Sequence, residues 1–171
     1  LAFNLYWRFN MYRSKFFLSW EHGEGRAKKS FLKLLKPRLE SCKNHEITWW
    51  EDSFILPGEE WLPQILEHLE DSDYIVQLVS PAFLASDFIR TYEIPGVGNA
   101  PMKNVLPVML VDLPLWGAVE FFGINDNQIY RGTSSKRNSY ISCKTELQRI
   151  QFVNGFVKQI INRIEDKGGY R

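Results

Sequence analysis

Trp49-Trp50-Glu51-Asp52 leads into Ile55-Leu56-Pro57-Gly58-Glu59-Glu60-Trp61, then Asp73-Tyr74-Ile75-Val76-Gln77-Leu78-Val79-Ser80-Pro81, then Phe83 onward to Arg90-Thr91-Tyr92-Glu93-Ile94-Pro95. By period and punctuation this stretch reads strand, polar loop, helix, strand, Ser-Pro turn, helix. Asp52 and Glu93 fall just after or beyond the ends of the two strands. In a doubly wound α/β sheet that edge is where ligands bind.

Upstream, Lys15-Phe16-Phe17-Leu18-Ser19 is a short apolar run typical of a buried strand. A loop with two glycines follows, Trp20 to Gly25, then a helix with Phe31, Leu34, Leu35 and Leu39 on one face. Pro37 inside that pattern predicts a kink or an early stop. Ile47-Thr48-Trp49-Trp50 is the second strand, and the pleat sends Trp49 and Trp50 to opposite faces. Pro57-Gly58 signals a turn, and Glu59 and Glu60 suit the first turn of a helix. Trp61, Ile65 and Leu69 recur every four residues and are expected to form its core face.

Tyr74 to Val79 is the third strand. Ser80 and Pro81 suit a cap and a first helical position, and Pro95-Gly96 closes that helix. Glu93 is then expected late in one surface helix. Asn104 to Val111 is the fourth strand, with Pro107 arguing for an edge or a bulge. Gln128-Ile129-Tyr130 predicts a short fifth strand, and the Ser-, Arg- and Lys-rich residues 131–145 a mobile loop. Leu147, Ile150, Val153, Val157, Ile160 and Ile164 mark an amphipathic helix. The domain is read as 12–166, preceded by an arm or cloning remnant at 1–11 and followed by a tail at 167–171. Alternation of strands and helices implies a parallel sheet with helices on both faces.

A chain of 171 residues suffices for one domain with a real core. Its net charge of +1 gives no field toward nucleic acid or an anionic membrane, and no run approaches a membrane span. The two cysteines, Cys42 and Cys143, are too few and too far apart for a disulfide framework or a zinc site. They read as free thiols in a reducing cytosol, so a cytoplasmic location is expected. There is no Gly-x-Gly-x-x-Gly, no Walker loop and no Cys/His cluster at metal spacing, so no metal and no resident cofactor is expected.

The Trp-Glu-Asp turn, the Leu-Pro-Gly-Glu-Glu-Trp loop, the Leu-Val-Ser-Pro strand end and the Tyr92-Glu93 pair together resemble the Toll/interleukin receptor (TIR) domain family in its bacterial form. The resemblance extends loosely from about Tyr12 to Ile164. It implies a flavodoxin-like, three-layer α/β fold with a central parallel sheet of about five strands. It also implies an activity, since many bacterial members cleave the nicotinamide–ribose bond of NAD+. By this resemblance Glu93 is the catalytic glutamate, and NAD+ is the substrate rather than a cofactor.

One carboxylate is enough for such chemistry. Ordinary glycosidases need two because the leaving oxygen must be protonated. Nicotinamide in NAD+ is already a pyridinium and leaves neutral. A fixed anion beside the developing ribosyl cation is then the effective device. Ser19, Trp20, Trp50, Asp52 and Tyr92 are the candidate substrate-binding residues, and His22 reads as a polar loop residue. One departure concerns position 89, where several members carry a Trp one helical turn before the glutamate and this chain has Ile89.

The apolar residues Phe54, Ile55 and Leu56, with Pro57 and Gly58, are the expected self-association surface, because in the family this loop joins neighbouring domains in filaments. The resemblance further implies a role in bacterial antiphage immunity, with a sensor fused or recruited. The rival expectation is a non-enzymatic adaptor acting through TIR–TIR contacts. A third is an α/β enzyme using the same glutamate on another glycosyl donor.

Overall fold

The structure is a computed structural model that describes residues 11–98, 100, 103–113, 116–124 and 128–166. All of the expected arm but Met11, and the expected tail at 167–171, lie outside the described residues. Strand β1 (Tyr12–Ser19) pairs in parallel with β2 (His45–Trp50) on one side and β3 (Tyr74–Val79) on the other. Strand β4 (Asn104–Met109) adds in parallel to β3, giving the order β2-β1-β3-β4.

Alternation within the strands divides the core into two layers. Phe16, Leu18, Val76, Leu78, Leu106 and Val108 turn to one face. They pack with Phe31 and Leu35 of α1 (Gly25–Glu40) and with Phe152, Val153 and Phe156 of α5 (Glu146–Ile164). Phe17 and Ile75 turn to the other face against Ile65 and Leu69 of α2 (Trp61–Asp71). On that same face Val79 and Met109 meet Phe83 and Leu84 of α3 (Pro81–Ala85) and Ile89 of α4 (Asp87–Tyr92). The result is a three-layer, flavodoxin-like α/β fold. Trp49 and Trp50 separate as the pleat requires, Trp49 edge-on to Phe16 and Trp50 stacked on Phe17.

Five expectations are corrected by the packing. The helix predicted from Pro81 to Ile94 is two short helices, because Ser86 breaks it and caps α4 by accepting from the Ile89 backbone N–H at 3.4 Å. The sheet has four strands among the described residues, and the fifth place is a single parallel bridge at Tyr130. Tyr130 bonds β4 on both sides of its own peptide, but its ring turns away and its hydroxyl donates to the Phe152 carbonyl of α5 at 2.8 Å. Pro37 does not end α1, which continues to Glu40. Trp61 is not part of the core face of α2. It is 54% exposed, and its ring lies 5.0 Å from that of Phe88 instead of among the residues packed around Phe17 and Ile75. The segment 131–145 is anchored rather than free, with Tyr140 N and Ile141 N bonded to Met109 O and Leu110 O at 3.0 and 3.1 Å.

Candidate functional site

Ser19 is the last residue of β1 and is fully buried. Its hydroxyl donates to Oε2 of Glu93, 74 positions later. Glu93 reaches this place because α4 lasts only six residues and stops on it. The Glu93 backbone N–H bonds Ile89 O at 2.9 Å, and the chain turns through Ile94-Pro95-Gly96, with Gly96 at φ 78°. Pro95 disfavours helix for the residue before it, and glycine tolerates the positive φ that follows.

Glu93 is only 6% exposed, although its place late in a surface helix gives no sign of burial. Ile89 and Ile94, both buried, flank it in the chain. Burial pushes its carboxyl up from the ordinary 4.5 to about 7, the Ser19 hydrogen bond pulls it back in part, and the negative charge of Asp52 adds to the rise. A carboxylate poised near neutrality in a buried position is a common mark of a functional acid or base.

Asp52 opens the 3-10 turn that follows β2. It accepts from the indole Nε1–H of Trp20 at 3.3 Å, and its second oxygen meets His22 Nε2. The Trp20 and His22 rings stand edge to face at 4.8 Å. The loop after β1 and the loop after β2 are therefore joined beside Glu93. Lys28 of α1 lies 3.6 Å over the Trp20 ring and pairs with Glu51, which Lys36 also approaches at 3.7 Å. Burial works against the charged form of Glu51. The hydrogen bond and charge of Lys28, a hydrogen bond from Ser53 and the charge of Lys36 outweigh it and hold the carboxyl below its ordinary value.

Ser19, Trp20, Asp52 and Glu93 thus converge at the carboxyl edge of the sheet. Trp50 does not join them directly, since its ring is sandwiched between Phe17 at 5.1 Å and His68 at 4.5 Å. Tyr92 sits half-buried with its ring 5.0 Å from that of Phe88, which is itself half-buried and in turn meets the exposed Trp61. Ile89, at the position where several family members carry a Trp, is buried in the core.

Three further residues of this region, Lys28, Glu51 and Gln77, are not among the sequence candidates. Lys28 and Glu51 are hidden because nothing local shows that a helix lysine will meet a loop glutamate. Gln77 has a visible signal, as the polar residue within Ile75-Val76-Gln77-Leu78-Val79. It is fully buried, and among the described residues neither side-chain amide atom has a hydrogen-bond partner.

In the loop after β2, Pro57 and Gly58 form a turn closed by Glu59 N to Leu56 O at 3.1 Å, with Gly58 at φ 93°. Leu56 is 65% exposed, Phe54, Pro57 and Gly58 are also exposed, and Ile55 folds back onto the cluster around Phe17.

Residues 16–131, more than half of the chain, match the model of the family described as TIR domain. No curated protein matches the chain. Among the described residues no helix is long and apolar enough to cross a membrane.

Proposed function

The chain belongs to the TIR domain family, and on that footing we propose that it cleaves the nicotinamide–ribose bond of NAD+, as a glycohydrolase or a cyclase. The observation that carries the reading is the buried Glu93 carboxyl, held by Ser19 at the carboxyl edge of a parallel sheet. Its raised pKa fits a role beside a cation. The pyridinium of NAD+ favours the ionised form on binding, and the ribosyl cation that forms as nicotinamide leaves keeps the carboxylate opposite a positive charge. Low exposure makes that attraction stronger than it is in water. The Trp20–Asp52–His22 group supplies an aromatic wall and a polar rim for the ribose. Trp50 and Tyr92, off the centre of this group, contribute to the outer walls.

The test is incubation of the protein with NAD+ and measurement of free nicotinamide. Release at a rate set by Glu93 supports the reading. No release at any protein concentration leaves the adaptor role, acting through TIR–TIR contacts alone.

Self-association is part of the same proposal, because Phe54, Leu56 and Trp61 are large, apolar and exposed around one loop. Specific activity is expected to rise with protein concentration over a hundredfold range. Leu56→Asp is expected to abolish that rise and leave the stability within about 0.5 kcal/mol of wild type, as surface substitutions do. A flat specific activity in the wild type counts against assembly. Loss of the thermal transition in the variant would show that the loop is core. Defence of a bacterial cell against phage, with a sensor that brings copies together in the cytoplasm, is the biological setting this reading implies.

A further inference from the structure

Gln77 lies in the central strand β3, in register with Ser19 on one side and Pro107 on the other. Registered residues on neighbouring strands are separated by ~4.8 Å and point to the same face. Its neighbours along that face are Ile75 and Val79, which belong to two separate apolar clusters. Gln77 therefore stands in the seam between them. An amide in such a place is normally hydrogen-bonded, and leaving it unpaired costs free energy that an apolar residue would avoid. Toward β4 it faces proline, whose ring has no N–H and whose carbonyl is taken by Tyr130 N at 2.9 Å. Toward β1 it faces Ser19, and Ser19 holds Glu93. The polar chemistry within reach of the Gln77 amide is on the Glu93 side.

We propose that Gln77 is a positioning residue of this site, whose side-chain amide donates to the Glu93 carboxylate when that group ionises. The carboxylate is then held from two strands, by the Ser19 hydroxyl of β1 and the Gln77 amide of β3. This rests on the reading of Glu93 as the working carboxylate. The amide has a donor to give and, among the described residues, no competing partner, and a second donor favours the charged form. The other charge acting on Glu93 is Asp52, from the loop after β2, with His22 paired to it; on α4 itself, Arg90 is drawn to Asp87.

The decisive measurement is a carbon-13 NMR titration of the side-chain carboxyls, with Glu93→Gln assigning the Glu93 resonance. Gln77→Met keeps the shape and removes the donor, and Gln77→Leu is the second variant should the first fold poorly. In either, the Glu93 ionisation constant is expected to fall at least about fivefold, moving the midpoint up by about 0.7 pH unit. The acid limb of nicotinamide release against pH is expected to move up by the same amount. An unchanged or lowered midpoint in a folded variant overturns the inference. The titration needs no substrate, so its result stands even if the wild type releases no nicotinamide. In that case the reading of the activity fails separately. Unshifted titration with intact release sinks only the role of Gln77.

Discussion

Glu93→Gln is expected to give a protein that barely turns over NAD+ and melts higher than the wild type at pH 8. The activity side follows from removing one preorganised electrostatic group, which lowers such rates by about 10²–10³-fold. The stability side follows from burial. The folded protein holds the Glu93 proton with a pKa of about 7, against 4.5 as the ordinary value. A folded pKa above the unfolded one means that the folded state binds the proton more tightly. The associated stability is fully present below about pH 4.5 and is lost as pH rises through about 7. At 1.36 kcal/mol per pH unit the wild type gives up about 3 kcal/mol across that window, and the variant does not. The amide oxygen of the introduced glutamine still offers Ser19 an acceptor. The two proteins are expected to melt alike at pH 4 and to diverge by several degrees at pH 8, on the order of 2–4 °C per kcal/mol for a chain of this size. Melting curves at both values, with nicotinamide release at pH 8, check it. Equal melting at pH 8 would mean that Glu93 is solvated. More than about a third of the wild-type rate would remove it from the catalytic role.

For a glutamate late in a surface helix, as the sequence reads, the same substitution would have a negligible effect on stability. The difference has a local origin. Pro81 to Ile94 carries a helix-like pattern throughout, and Ser86-Asp87, though it suits a cap and a first turn, is not set apart from that pattern by any glycine or proline. Once Ser86 stops one helix and starts another, the direction changes and α4 brings Glu93 down onto Ser19. The same kind of limit applies to Trp61. Its four-residue spacing with Ile65 and Leu69 is real, but periodicity cannot tell that only the later turns of α2 are covered. The legible features are governed by short-range chemistry. The alternation in β1 to β3, the Pro57-Gly58 turn and the opposed faces of Trp49 and Trp50 all follow from neighbouring residues. Ser19, Asp52 and Glu93 are legible as a group because strand ends share one edge in a parallel sheet. The links between them are not. The Trp20–Asp52 hydrogen bond, the His22–Asp52 contact and the unpartnered Gln77 depend on side-chain directions that become definite only when the layers are packed.

Lys28→Met is expected to be among the most destabilising single changes at this end of the molecule. The Lys28 and Glu51 side chains are 12% and 9% exposed, so the pair has little water to fall back on. Removing one member of a buried pair leaves the other charge uncompensated and costs about 3–5 kcal/mol. Lys36, at 3.7 Å from the other Glu51 oxygen, offsets part of that, so a loss of about 3 kcal/mol is expected at pH 7. The Glu51 carboxyl is held below its ordinary value in the folded protein. Its stabilising contribution is therefore present at neutral pH and lost as pH falls through the folded pKa. The gap between variant and wild type is expected to shrink in acid, where Glu51 is protonated in both. Lys28 also caps the face of Trp20, and Trp20 holds Asp52, so nicotinamide release is expected to fall with stability. The double variant Lys28→Met/Glu51→Leu separates the two consequences. With both charges gone the desolvation penalty disappears and the melting temperature is expected to recover, as it does when buried pairs are replaced by apolar residues. Activity is expected to stay low, because the cation over Trp20 is still missing. Urea or thermal unfolding of the three proteins at pH 7, and in a series of decreasing pH carried below the folded Glu51 pKa, decides it. A single variant within about 1 kcal/mol of wild type at pH 7, against the cost usual for a broken buried pair, would show that Lys36 alone suffices for Glu51. A double variant as unstable as the single one would show that packing around Trp20, not charge, holds this edge together.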